Sequence, residues 1–519
     1  MKSTHENFPT RQYPYRRANG DQSQGIGDGP ASQDLNANTI YRFVLGIDSF
    51  PTPFLEAEDE LRDPFAVQLL LKNRFPLTLN ELLRQLETVA DETQRLTNVR
   101  SFLVADGGQI HWTEETSSLQ RHFRIAVAAT SSTNPGILVS TGTEFDSEEQ
   151  FLQVLAWDSE NGQYNYYERR GGTWVWAGNS YHSFDERSRG KGPFDSHVNG
   201  SLVMKELKFP WAHWHSEASA ITDDVLSPNS ALRREPLWSE KEGAENFERS
   251  IVRPGIERWT KARFEKAIPD RQNGVVRDWR QFMTQVFETT SVNLVASDSQ
   301  SRSVQPEVEI RLPISFFLNS DAFFNLLELE PDIRPPTVKG EFYLESLGTF
   351  DFHTRQGEFR FSGDTHFAFI VPEPAFEDLS VLKQLLDEGL VSKQFSACLL
   401  MIDFFNPINS TKRTSLFKYV PENVQIIDGV CDFESTFVRE VQNGVVSGTV
   451  GSPEQEFLDN WKLANWKEEF SERIERYFAN IEEKLQTQSG FDDIVRLAES
   501  RRREFRKSCL LYTSPSPRD

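Results

Sequence analysis

Cysteine is nearly missing from this chain, with three in 519 residues, and one of them, Cys509, falls in an anomalous terminal stretch. The remaining Cys398 and Cys431 support neither a disulfide framework nor a cysteine zinc site. Long apolar runs are missing as well. No stretch approaches the roughly 20 residues that a membrane-spanning helix needs. Basic charge is in deficit: 56 Lys and Arg stand against 78 Asp and Glu, for a net charge of −22. Such a surface repels phosphate backbones and anionic headgroups, which argues against nucleic acids and membranes as partners. Signatures that would name an enzyme are also absent. There is no G-x-S-x-G elbow, no P-loop and no H-E-x-x-H. Gly190-Lys-Gly192-Pro193 sets proline where a phosphate-cradling amide is needed. Cys398 lies in an apolar run that raises a thiol pKa, so it is a poor nucleophile.

What is present suits folded cores: 40 Phe, 11 Trp and 11 Tyr. The length exceeds what one core usually supports, so two or three domains are expected. Residues 1–39 are polar, without the apolar heart of a signal peptide, which points to a disordered tail on a soluble, cytoplasmic protein. Residues 40–180 read as a sheet-rich α+β domain. Thr78 and Glu81 form a capping box, and Leu79, Leu82, Leu83 and Leu86 follow at helical spacing. Runs at 151–157, 163–169 and 173–176 form a meander, with Asn161-Gly162 and Gly171-Gly172 supplying positive φ at its turns.

Residues 181–300 are rich in loops and helices, with helices expected near 244–249, 256–267 and 275–289. Residues 301–508 read as an α+β region. Strands are expected at 340–345 and 398–402, the latter run also fitting a buried helix, and a helix over 379–386 ends at Gly389. Ser452-Pro453-Glu-Gln455 opens one long helix bearing Phe470, Ile474, Phe478 and Ile481. The fold class expected is α+β throughout.

The most distinctive stretch runs from Gly192 to His215. It resembles the haem-attachment region of c-type cytochrome-like domains, in which C-x-x-C-H opens a helix and the histidine ligates iron. Pro193 and Ser196 stand at the two cysteine places and His197 at the proximal-ligand place. Without thiols no thioether bonds form, so covalent haem is excluded. The resemblance implies a degenerate segment that has lost its cofactor, or a non-covalent haem held by His197 with Met283 as sixth ligand.

The same window admits a divalent metal on His197, His213 and His215, with Asp195 and Glu206 nearby. His213 and His215 share a side of an extended strand, a spacing compatible with chelation. Hydrogen-bonded packing among Phe209, Trp211 and Trp214 is the competing explanation of that pair. His353 and His366, the latter preceded by Asp364, form a weaker second candidate. Tyr164, Tyr166, Trp174 and Trp176 recur at period two, as in a carbohydrate-binding platform or as cross-strand core pairs.

The last eleven residues, C-L-L-Y-T-S-P-S-P-R-D, back-translate in frame to a string that resembles a transposon-type sequencing adapter. Residues 509–519 are therefore set apart as an artefact. They imply a bacterial source sampled from an environment and a natural chain that continues past Ser508. The expected function is non-catalytic or partner-binding, toward an unknown protein or small molecule. The alternatives are a haem- or metal-dependent redox or hydrolytic enzyme centred on His197 and a carbohydrate-binding module.

Overall fold

A computed structural model of the chain describes residues 35–92, 95–105, 112–117, 123–132, 135–142, 146–195, 197–202, 223–288, 292–296, 303–317, 321–351, 353–356, 359–363, 370–404, 410–445 and 451–497. The fold is α+β, with an N-terminal sheet followed by a mainly helical body. Eight strands build the sheet: β1 (Ile40–Arg42), β2 (Thr52–Pro53), β3 (Asn98–Ala105), β4 (Phe123–Thr130), β5 (Ile137–Thr141), β6 (Leu152–Asp158), β7 (Gln163–Arg170) and β8 (Thr173–Asn179). Their order is β2-β1-β8-β7-β6-β5-β4-β3. From β3 to β8 the chain is an antiparallel meander, and β1 pairs with β8 in parallel.

Two turns of the meander rest on left-handed glycines, Gly162 at φ 61° and Gly171 at φ 56°. The first is reinforced by the Asp158 carboxylate, which accepts from the backbone N–H groups of Glu160 and Asn161. The free edge of β3 is covered by Glu242, which exchanges backbone bonds with Ser101 and Leu103. Its carboxylate also takes a two-pronged ion pair from Arg100. Glu242 thus occupies the middle of this edge.

Both faces at the centre of the sheet are covered. On one side lie α1 (Pro64–Gln68) and α2 (Leu79–Glu87). The Thr78 hydroxyl caps α2 through the Glu81 N–H, while the Glu81 carboxylate accepts from Leu77 N–H, one residue earlier than a regular capping box. On the other side lie the loop 180–202 and the start of α3 (Arg253–Ala267).

Two large apolar cores result among the described residues, beside a small cluster of Tyr41, Phe43 and Val175. The first runs from Val44 to Trp259 and the second from Phe264 to Ile494, with α3 giving Ile256 and Trp259 to one and Phe264 and Ala267 to the other. The second core gathers α4 (Trp279–Phe287), α5 (Gly340–Thr349), α6 (Phe376–Asp387), α7 (Lys393–Leu400), α8 (Phe433–Gly444), α9 (Pro453–Trp461) and α10 (Trp466–Lys484). A small antiparallel sheet lies at its margin, ordered β11 (Val430–Cys431), β10 (Val424–Ile427), β9 (Gly274–Val276).

Several local expectations change. The expected strand 340–345 is the first half of α5, whose buried residues Gly340, Tyr343 and Ser346 recur every third position. Residues 398–400 close α7, which is buried over six consecutive residues from Phe395 to Leu400, so the run is the buried helix rather than the strand. The helix expected over 275–289 begins at Trp279 after β9, because Asp278 at φ 55° breaks the path. The single long C-terminal helix is two, α9 and α10, parted at 462–465.

Candidate functional site

Where β8 ends, Asn179 starts a tight turn: its side chain accepts from Tyr181 N–H while its own N–H donates to His182 Nδ1. The loop that follows is polar in sequence and is tied down bond by bond. Ser180 Oγ accepts from Tyr164 N–H at 3.0 Å and donates to Gly200 O at 2.9 Å. Ser183 and Ser188 hydroxyls donate to the carbonyls of Ser180 and His182, both at 2.7 Å. Tyr166 OH donates to Ser201 O at 2.9 Å, and Trp259 Nε1 donates to Asn199 O at 2.8 Å. Gly200, at φ 68°, would set a Cβ only 2.4 Å from Ser180 O, so the return of the loop requires glycine there.

This loop carries His182 and His197, linked through Phe194 and Tyr166. His182 lies parallel to Phe194 at 6.3 Å, Phe194 meets Tyr166 edge-on at 5.3 Å, and Tyr166 lies 5.0 Å from the His197 ring. His197 Nδ1–H donates to Ser201 O at 3.0 Å. Burial pushes the His197 imidazole down to about 4, and burial together with the Arg42 charge lowers His182. Both rings are neutral packing and bonding residues near pH 7.

Met283 is fully enclosed in the second core, on α4, whereas His197 packs on Tyr166 of the first core. The two residues of the expected haem pair thus belong to different cores. His213, His215, Glu206, Ser196 and His366 lie outside the described residues, as does the stretch 509–519. His353 begins the strand His353–Gln356. Among the described residues no group of three His, Cys, Asp or Glu is placed to hold a metal ion. Tyr164, Tyr166, Trp174 and Trp176 are all buried and offer no open platform to a sugar ring. The two tyrosines face the loop 180–202 and α3, and Trp174 meets Phe65 of α1. Burial raises the thiols of Cys398 to about 12 and Cys431 to about 11.

Two buried polar networks, neither anticipated above, hold this region. Asp63 caps α1 and is 0% exposed. Its carboxylate accepts from Ala66 N–H at 3.0 Å, Asn165 Nδ2 at 2.9 Å and Tyr167 OH at 2.5 Å. Asn165 Oδ1 in turn accepts from Trp176 Nε1 at 3.0 Å. Burial raises the Asp63 carboxyl and, helped by Asp63 itself, raises Tyr167. The sequence signal was Asp63-Pro64, a cap followed by a first-turn proline.

Between the two cores, Arg263 of α3 is stacked against Phe184 at 4.5 Å and Phe282 at 4.8 Å. It donates to Gln285 Oε1 at 2.8 Å, and Gln285 Nε2 donates to Asp378 Oδ1 at 3.1 Å. Burial pulls this guanidinium down to about 10, still charged at neutral pH. Ser380 Oγ donates to Thr260 Oγ1 on the same seam.

No family model, curated protein or solved structure matches this chain.

The surface offers a different kind of feature. In the three-stranded sheet, Val276, Val424 and Ile426 point into the second core, while Val275, Ile427 and Val430 are 48%, 55% and 69% exposed. Ile427 pairs directly with Val430, and Val275 pairs with Gln425, which shares a face with Ile427. Three β-branched aliphatics thus occupy the outer face of a sheet where polar residues are the rule. Among the described residues no helix is long and apolar enough to cross a membrane.

Proposed function

We propose that this chain is a non-catalytic, partner-binding protein that docks a segment of another protein on the outer face of the sheet β9–β10–β11. The observation that carries the reading is the exposure of Val275, Ile427 and Val430 together on one face. An aliphatic group left in water forgoes about 25 cal/mol per Å² of the stabilisation that burial would give. Grouped apolar surface of this kind marks interaction sites more often than scattered single residues do. The chemistry of the described loop supports the non-catalytic half of the reading. His182 and His197 are held neutral in bonded positions, and both described thiols are shifted far above neutrality.

The test is selection from a random peptide display library with the full chain as bait, repeated with the Ile427→Ser/Val430→Ser double variant. Circular dichroism of the variant establishes that its fold is retained. Peptides retained by the parent and lost by the variant support the reading. Selection that yields no such peptides rejects it.

A further inference from the structure

We infer that the segment docking on this face is basic as well as apolar, an alternation of aliphatic side chains with Lys or Arg. This rests on the docking reading above and specifies the chemistry of its partner. The argument is one of charge around the apolar centre. Three carboxylates rim the small sheet, each tied to it through the backbone or adjacent to it. Asp428 stands at the β10–β11 turn, where its N–H donates to Asn273 Oδ1. Asp432 follows β11 and accepts from Gln425 N–H at 2.8 Å. Asp270 precedes β9 and accepts from the N–H groups of Gln272 and Asn273.

The cations nearby are largely spent. Arg271 is held in a two-pronged pair by Glu388 at 2.6 and 2.9 Å. Arg280 donates to Val420 O at 2.6 Å and lies 3.6 Å from Glu422. Arg277 remains, exposed, against the three carboxylates. The bias agrees in sign with the whole chain at −22. A surface of one sign around an apolar centre selects the opposite sign in its partner and rejects its own. A partner laid extended on a sheet face presents every second side chain to it, so the aliphatics meet the face. The intervening Lys or Arg turn away from it and feel the rim carboxylates through space, over a Debye length of about 10 Å at 0.1 M salt.

Three labelled peptides test this by fluorescence anisotropy with the full chain: valine alternating with lysine, with serine and with glutamate. The lysine peptide is expected to bind on the order of tenfold more tightly than the serine peptide at low salt, and the glutamate peptide to bind weakest. Raising NaCl from about 0.05 M to about 0.5 M should erase most of that preference. The Asp270→Asn/Asp428→Asn variant should lower lysine-peptide affinity several-fold and leave the serine peptide unchanged. Asparagine keeps the oxygen that caps residues 272 and 273 and tolerates the φ of 51° at position 428. Equal binding of the lysine and serine peptides, lost in Ile427→Ser/Val430→Ser, overturns the charge inference and leaves the docking reading standing. Absence of any binding that depends on Ile427 and Val430 overturns both.

Discussion

Replacing Asp63 with alanine removes the acceptor for three buried donors at once: Ala66 N–H, Asn165 Nδ2 and Tyr167 OH. Each donor left without a partner in the interior costs about 1–3 kcal/mol, and the lost helix cap is already counted in the first of them. Set against this is relief from holding a carboxylate in a dry site, itself worth several kcal/mol when the group is ionised. The three donors compensate much of that penalty in the parent, so the loss should dominate, at about 3 kcal/mol net. Asp63→Asn is the informative companion. Its carbonyl oxygen still serves Ala66 N–H, and the Tyr167 hydroxyl can turn to accept from the new amide, so the expected loss is about 1–2 kcal/mol.

The two variants also differ from the parent in pH dependence. Burial raises the Asp63 carboxyl, so the folded state holds the proton more tightly than the unfolded one. That contribution is full below the unfolded value of about 3.9 and declines as pH rises through the folded value. Neither variant retains this decline. Urea unfolding followed by tryptophan fluorescence, repeated from pH 4 upward, reads both effects. Trp176, bonded to Asn165, reports from inside the network. An alanine variant as stable as the parent, or an asparagine variant less stable than alanine, would refute the reasoning.

Three further outcomes are expected. Arg263→Ala should destabilise by about 3 kcal/mol, from the lost bond to Gln285 and the lost stacking on Phe184 and Phe282. Arg263→Met, which keeps the volume without the buried charge, should lose clearly less in the same unfolding assay, and equal losses would contradict this account. The His197 imidazole is lowered by burial to about 4, so its contribution is intact above about 6.5 and is lost as pH falls toward 4. The parent should lose up to about 3 kcal/mol across that window relative to His197→Phe, measured by urea midpoints at pH 7.5 and 4.5. Gly255→Ala should cost about 1–3 kcal/mol by thermal unfolding, because its Cβ would fall 2.7 Å from Leu202 and 2.8 Å from Tyr164 OH.

Elements with local signals were legible in the sequence. The helix after Thr78 has a cap and a one-sided apolar stripe, and the meander has glycines where its turns need positive φ. Elements defined by what surrounds them were not. Helix α7 is buried on every side from Phe395 to Leu400, which erases the periodicity that separates a helix from a strand. Helix α5 mixes Phe342, Tyr343 and Leu344, residues that suit strands, and is helical because Tyr343 and Ser346 turn toward the second core and Asp492. The histidines drew notice as chemical groups, yet His197 is explained by Tyr166 and Ser201, residues far apart from or adjacent to it with no motif linking them. Arg263 gave no signal, since a buried arginine reads like a surface one until its aromatic neighbours are known. The exposed face of the small sheet was hidden because β9 and β10 lie about 150 residues apart in the chain.

Helix α3 carries a consequence for how such a chain is inherited. One of its turns closes the wall of the first core with Ile256 and Trp259, and the next completes the second with Phe264 and Ala267. A recombination breakpoint on either side of this helix would hand both cores' residues to one half and leave the other with an open flank. Exchange of one core without the other therefore has to divide this helix between Trp259 and Phe264.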